Sequence, residues 1–283
     1  MNGNNRLANW TTWGVGGPAD AMVIPSGLDE LIAILKNLNH PPFWLGQGSN
    51  LLVRDAGIRD TVIVTRHLKS MRWEDKAVYA ETGAFCAHLA KFAAQQGLSG
   101  LEFLAGIPGS IGGALKMNAG CFGSETWRYV KAVKTIDHQG NVRVRSADDF
   151  CPSYRKVEGP KDEWFLGAWF VTHAHEEPPL ILERMQKLIQ KRRALQPIGE
   201  KSAGSVFKNP RPRFAGELIE ACGLKGKQLG GAKISDRHAN FIVNTGKATA
   251  YDIEQLILLI QEEVKKRFDI CLEPEVQIVG EKT

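Results

Sequence analysis

The 283-residue sequence predicts an α+β protein of two domains, and three observations predict it. The length exceeds what one domain of roughly 100–200 residues usually takes. Capped amphipathic helices and short strand-like runs follow one another in mixed order. After Pro178 the texture changes to a helix rich in Lys and Arg, and beyond Pro197 the pattern restarts, which sets expected domains at residues 1–178 and 179–283.

Taken in order, Ser26-Gly27-Leu28-Asp29 has capping-box spacing, and Leu28, Leu31, Ile32 and Leu35 follow on one face, so a helix is expected to run to about Leu38. FWLGQGSNLLV reads as strand, tight loop (Gly46 to Asn50) and strand. Thr61 to Thr65 and Ala77 to Gly83 read as strands, and Ala87 to Gln96 as a helix stopped by Gly97. The stretch Leu104 to Gly120 is rich in glycine, poor in charge and without helical period. Lys131 to Asp137 and Gly140 to Ser146 form a hairpin pattern, and Phe165 to His173 another strand. Leu180 to Arg193, Ala215 to Cys222 and the strongly periodic segment after the Thr249/Asp252 capping box are helical, with NFIVN a strand and LEPEVQIVG an alternating segment.

Composition narrows the function. Apolar residues at 43% and charged residues at 24% match an ordinary globular chain. A net charge of +5 suits an anionic small ligand but is too mild and too scattered for nucleic acid, and the runs Lys187 to Arg193 and Lys265 to Arg267 fall late in helices, where cations complement the dipole. Five cysteines, odd in number and without a CxxC pair, argue against a disulfide framework or a zinc site and are expected to be reduced and mostly buried. No stretch has the roughly 20 apolar residues of a membrane span, and MNGNNRLANW lacks a signal-peptide core. A cytoplasmic monomer with no membrane insertion is the expectation.

Glycine loops bring several backbone N–H groups onto a phosphate. Gly46-Gln47-Gly48-Ser49-Asn50 is neither GxGxxG nor a Walker A sequence, yet two such glycine-rich segments about sixty residues apart fit an extended dinucleotide lying across both. Ser205, in SAGSVFKNP, has no histidine or acid nearby to make it a nucleophile, so a turn before a strand is its plain structural reading. Read alone, Arg155 is a loop arginine, Glu275 a solvated acid and His238 a core histidine.

The ordered set GQGSNLLV, GIPGSIGGALKMNAG, SYR, SAGSVFKNP, GLKGKQLGGAKISDRHANFIVN and LEPEVQIVG resembles the UDP-N-acetylenolpyruvoylglucosamine reductase (MurB) family over nearly the whole chain. The resemblance implies an FAD-binding domain of the vanillyl-alcohol-oxidase (PCMH) type followed by a smaller α+β substrate domain. It also implies non-covalent FAD, NADPH as co-substrate, and reduction of UDP-N-acetylglucosamine enolpyruvate to UDP-N-acetylmuramate; His40 and Cys121 are then bystanders to flavin attachment. By the same resemblance Arg155 pairs with the substrate carboxylate, Glu275 stabilises or protonates the enolic intermediate, and Ser205 gives a proton to the carbanion. Gly46, Gln47, Gly48, Ser49 and Asn50 would hold the pyrophosphate. Gly83, Gly106, Gly109, Ser110, Gly112 and Gly113 would line the rest of the cofactor, and Tyr154, Lys208, Asn209 and His238 would touch substrate. Gly14 stands where the family usually has a larger, often basic residue, and the substrate-covering tyrosine loop of the larger branch is missing. Alternatives are another FAD oxidoreductase of the same fold, free to lose SAGSVFKNP and LEPEV, and a non-catalytic nucleotide-sugar binding protein, free to lose Ser205 and Glu275.

Overall fold

The computed structural model describes residues 5–74, 76–172 and 174–282. The chain forms two units that interleave in sequence: a central unit of Val23–Gln47 and Val62–Arg192, and a terminal unit of Met1–Met22, Gly48–Thr61 and Arg193–Thr283. The structural limits therefore differ from a single cut after residue 178, because two N-terminal pieces join the last third.

In the central unit, helix α1 (Leu28–Lys36) starts one residue after the Gly27 N-cap. Ser26 is held by Glu30, which accepts from both its N–H (2.8 Å) and its hydroxyl (2.6 Å), so Glu30 takes the part expected of Asp29. The helix ends two residues before Leu38. Leu31 and Leu35 pack with Ile63, Ile136 and Leu166. A five-stranded antiparallel sheet runs in the order Val142–Ser146, Val130–Asp137, Glu163–Phe170, Ala77–Glu81, Met71–Glu74. The expected hairpin is there, with Thr135 opposite Arg143 and a left-handed Gly140 in its turn. The expected strand from Phe165 stops at Phe170, and His173 lies outside the described residues.

Helix α2 (Cys86–Gln95) ends before Gly97, whose φ of 73° is the left-handed value that favours glycine. Helix α3 (Ile111–Met117) forms inside the glycine-rich stretch where no helical period is visible. Leu89, Ala90 and Ala93 of α2 and Ile111, Ala114 and Leu115 of α3 share a core with Val78, Val133, Ala168 and Phe170. Helix α4 (Pro178–Leu195) buries Ile181 and Met185, and its Arg192 guanidinium has a pKa lowered by burial.

In the terminal unit, Leu51–Val53 pairs in parallel with Gln277–Val279, which brings the chain's first quarter and its end into one ladder. Trp13 reinforces this: its indole N–H donates to Ile242 O (2.7 Å) and its carbonyl accepts from the Asn244 amide (2.8 Å). Helix α5 (Ala215–Ala221) and helix α6 (Ala250–Phe268) pack with an antiparallel sheet of Gln228–Leu229, Ala232–Ile234 and Ile242–Asn244. The Thr249/Asp252 capping box is closed in both directions, and Ile253, Leu256, Ile257, Ile260 and Val264 are buried along α6. The SVF segment makes no regular strand, only a bridge from Phe207 to Pro274.

All five cysteines are free, but only Cys86 is buried, against the expectation of a mostly buried set; Cys151 and Cys271 are exposed. Burial pushes the Cys86 thiol up to about 12, which keeps it inert. Among the described residues no group of His, Cys, Asp and Glu is arranged to hold a metal, and no helix is long and apolar enough to cross a membrane.

Candidate functional site

The loop Gly46 to Asn50 joins the strands Phe43–Leu45 and Leu51–Val53, as the sequence predicts, and passes from the central to the terminal unit after Gln47. On the central side, the Arg66 guanidinium donates to Gly46 O (3.4 Å) and Gln47 O (3.5 Å), and burial lowers its pKa. Sequence reasoning missed Arg66, since nothing in its spacing points to the loop twenty residues earlier. The Gln47 side chain is buried, and its Nε2 has no hydrogen-bond partner among the described residues. A buried amide donor aimed nowhere in the protein fits a site that receives an acceptor from a ligand. On the terminal side, Gly48 is left-handed (φ 63°) and a methyl group there would collide with the Trp10 carbonyl. Ser49 is half-buried in the turn. Asn50 is already engaged: its Nδ2 donates to Glu275 O (3.0 Å) and its carbonyl accepts from Gln277 N (3.0 Å).

The second glycine-rich segment lies along residues 82–86 of the central unit. Gly109 O accepts from Cys86 N (3.0 Å), Ile111 N donates to Ala84 O (2.9 Å), and Gly112 N donates to Thr82 O (2.8 Å). Side chains at Gly46, Gly83, Gly106 and Gly112 would collide with Ser110 Oγ, Thr65 O, Cys121 with Phe122, and Thr82 Oγ1 respectively, so these glycines let the protein approach itself. Gly113 differs, because Ser110 Oγ, 3.8 Å away, is the one neighbour a methyl group would meet within 4 Å. Ser110 is buried beside both Gly46 and Gly113 and so links the two glycine segments. Gln47, Ser110 and Gly113 make this cradle a fit for FAD: a buried donor, a hydroxyl and an open backbone face.

Arg155 also belongs to the central unit. A two-stranded hairpin pairs Cys151 with Glu158 and Ser153 with Lys156, leaving Tyr154 and Arg155 as its turn, with Arg155 left-handed at φ 58°. Its guanidinium donates to Gly120 O (3.2 Å) and lies 5.1 Å from the centroid of the Tyr154 ring. Buried Asn118 fixes the hairpin by donating to Ser153 O (3.1 Å) while its Oδ1 accepts from Trp127 N (3.1 Å). An arginine presented on a strained turn, braced from behind, is a form that functional sites often take.

Ser205 and Glu275 belong to the terminal unit and lie on adjoining segments: Glu275 N donates to Val206 O (2.7 Å) and Lys208 N to Glu273 O (2.9 Å). Gly204, just before Ser205, is left-handed at φ 72°. Lys208 Nζ pairs with Glu273 (2.5 Å), and Asn209 Oδ1 accepts from Ala215 N (3.0 Å) at the start of α5. His238 is half-buried; burial, with Lys225 nearby, lowers its pKa, and its Nδ1 accepts from Asn240 N (3.2 Å), which fixes a neutral ring. Lys201 covers Gly14: its Cδ would lie 3.3 Å from a methyl group there, so a basic side chain fills the space that a larger residue 14 would take.

Comparison with known proteins covers both glycine segments and the Ser205–Glu275 region. A family model described as FAD binding domain matches residues 19–145, and one described as UDP-N-acetylenolpyruvoylglucosamine reductase, C-terminal domain, matches residues 196–279. The UDP-N-acetylenolpyruvoylglucosamine reductase of Alkalilimnicola ehrlichii is 49% identical over 97% of this chain and 93% of its own, and that of Methylococcus capsulatus 50% over 97% and 91%. The crystal structure of UDP-N-acetylenolpyruvylglucosamine reductase from Thermus caldophilus is 36% identical and superposes with a TM-score of 0.85 over 96% of this chain and 97% of that one.

Proposed function

The chain belongs to the UDP-N-acetylenolpyruvoylglucosamine reductase family, and we propose that it reduces UDP-N-acetylglucosamine enolpyruvate to UDP-N-acetylmuramate, a step of peptidoglycan precursor synthesis. The net reaction adds one hydride and one proton across the enolpyruvyl double bond and oxidises NADPH. A bound FAD would supply the hydride chemistry that links NADPH to the enolpyruvyl methylene carbon. Gln47, Ser110 and Gly113 would hold the cofactor, with Arg66 bracing the loop that carries Gln47.

Charge then grows on the carbon beside the substrate carboxylate. Arg155 neutralises it through the carboxylate, a task for a planar guanidinium. Glu275 stabilises the enolic form, and the Ser205 hydroxyl gives its proton to the carbon, taking a proton back from solvent afterwards. A hydroxyl is a weak acid in water, but a carbanion is basic enough to take its proton without a partner histidine. Tyr154, Lys208, Asn209 and His238 complete the substrate contacts, the first two by ring and charge; His238 acts as a neutral donor through Nε2, since Nδ1 accepts from Asn240. Flavin on residues 1–178 and substrate on 179–283 is the proposed division of labour. The enzyme works as a cytoplasmic monomer.

The observation that carries the proposal is the hydrogen bond from Glu275 N to Val206 O, which sets the acid and the serine on adjoining segments 70 positions apart in sequence. The test is NADPH consumption that depends on the enol ether, with a product heavier by two hydrogens. NADPH consumption indifferent to the enol ether would favour a different flavin oxidoreductase of the same fold.

A further inference from the structure

Ser205 lies between a left-handed glycine and a tightly held pair of residues. Upstream, Gly204 is left-handed and a methyl group on it would meet nothing within 4 Å, so packing at residue 204 does not set the direction in which the chain enters Ser205. Downstream, Val206 and Phe207 are buried, and one residue holds both.

That residue is Asn240, 3% exposed. Its Nδ2 donates to Phe207 O (2.9 Å), its Oδ1 accepts from Phe207 N (2.9 Å), and its main-chain carbonyl accepts from Val206 N (2.9 Å). A carboxamide offers donor and acceptor side by side, so it serves Phe207 as a neighbouring peptide would in a sheet. Val206 O, on the other side, accepts from Glu275 N (2.7 Å), which carries the same restraint to the second functional segment. Asn240 is oriented in turn by its own N–H, given to His238 Nδ1 (3.2 Å), while Ser235 Oγ accepts from Arg237 N (3.2 Å) to shape the turn ahead of it.

We propose that Asn240 is the positioning residue of Ser205, fixing the direction of its hydroxyl through the main chain of Val206 and Phe207 and keeping it in register with Glu275. The inference rests on the reductase reading of Ser205. Asn240 touches neither substrate nor flavin in this account; it acts by geometry, and misplacement of a reacting group by about 1 Å can cost on the order of a hundredfold in rate.

The test separates the two half-reactions in the flavin-loaded enzyme under anaerobic conditions. Asn240→Asp keeps the shape but turns an oxygen toward Phe207 O. It is expected to slow flavin reoxidation by UDP-N-acetylglucosamine enolpyruvate about ten- to a hundredfold, with flavin content unchanged and reduction by NADPH within about twofold of wild type. Placed on Ser205→Ala, the same substitution is expected to add no further loss, because the group it positions is gone. Should the aspartate variant lose flavin, Asn240→Ser carries the same comparison. Equal slowing of both half-reactions, or an equal loss with and without Ser205, would overturn the inference while leaving the reductase reading in place. A wild-type enzyme that the enol ether does not reoxidise overturns that reading and the inference with it.

Discussion

Arg155 stands at the tip of a hairpin whose strands are largely exposed, in a left-handed backbone (φ 58°), with its guanidinium tied to Gly120 O. Ser205 stands in an irregular segment, after a left-handed Gly204, whose next two residues are buried and hydrogen-bonded by Asn240 and by Glu275. The first residue is presented by its own turn, at a conformational cost of roughly 1–3 kcal/mol. The second is presented by neighbours distant in sequence. The difference teaches that a long, charged side chain can reach its target from a short turn, whereas a hydroxyl with one rotatable bond needs its backbone placed for it.

Substitutions that break this comparison fall in order of size. Removing the proposed proton donor in Ser205→Ala is expected to slow reoxidation of the flavin by about 10³-fold with reduction by NADPH untouched, read by stopped-flow absorbance. Loss of flavin from that variant would make the serine structural. Arg155→Gln keeps a hydrogen-bonding side chain but removes the charge, and is expected to lower kcat by about 10²-fold in steady-state assays. A purely structural arginine would show instead as a lower Tm at unchanged kcat.

The glycines sharpen the comparison on the cofactor side. Gly83→Ala drives a methyl group into Thr65 O and is expected to cost about 2–3 kcal/mol in denaturant unfolding. Gly113→Ala, in α3 with open space beside it, is expected to raise apoprotein stability by up to about 1 kcal/mol and to lower flavin content. Equal behaviour of the two variants would remove Gly113 from the cofactor cradle.

The smallest effect concerns Asp137, which lies outside the site and serves as a control on the sheet. Burial raises its pKa, but hydrogen bonds from Asn141 and Arg143 outweigh that and bring it to about 2. A folded-state pKa below the ordinary carboxylate value gives stability that is present above about pH 4 and lost as pH falls through about 2. Asp137→Asn is therefore expected to cost about 2 kcal/mol at pH 7, and the gap to wild type to close as pH approaches 2.

How much of this could be read from the sequence depended on how local the cause was. The helix after Thr249 and the stop at Gly97 were legible because a cap and a positive φ act within four residues. Helix α3 was not, because its glycines give no periodic signal and are accounted for by contacts such as Gly112 against Thr82. The capping partner of Ser26 moved to Glu30, a one-residue choice that sequence spacing leaves open. Two interleaved units were invisible, since the parallel pairing of Leu51 with Gln277 joins segments with no common sequence signal. The proposed site residues Ser205, Arg155 and Glu275 rest on ordered motifs, which a sequence displays directly. Asn240, Arg66 and Asn118 were not legible, because each acts on main-chain groups that a sequence does not display.

The measurement that tests the central claim most directly is an anaerobic visible spectrum of the purified protein, taken as NADPH and then UDP-N-acetylglucosamine enolpyruvate are added. A yellow flavin that bleaches with NADPH and recovers its full absorbance on one equivalent of the enol ether is the predicted result. A protein that holds no flavin even after FAD is supplied, or whose bleached flavin stays bleached, would contradict the account, and the first of these would leave a nucleotide-sugar binding protein as the better reading.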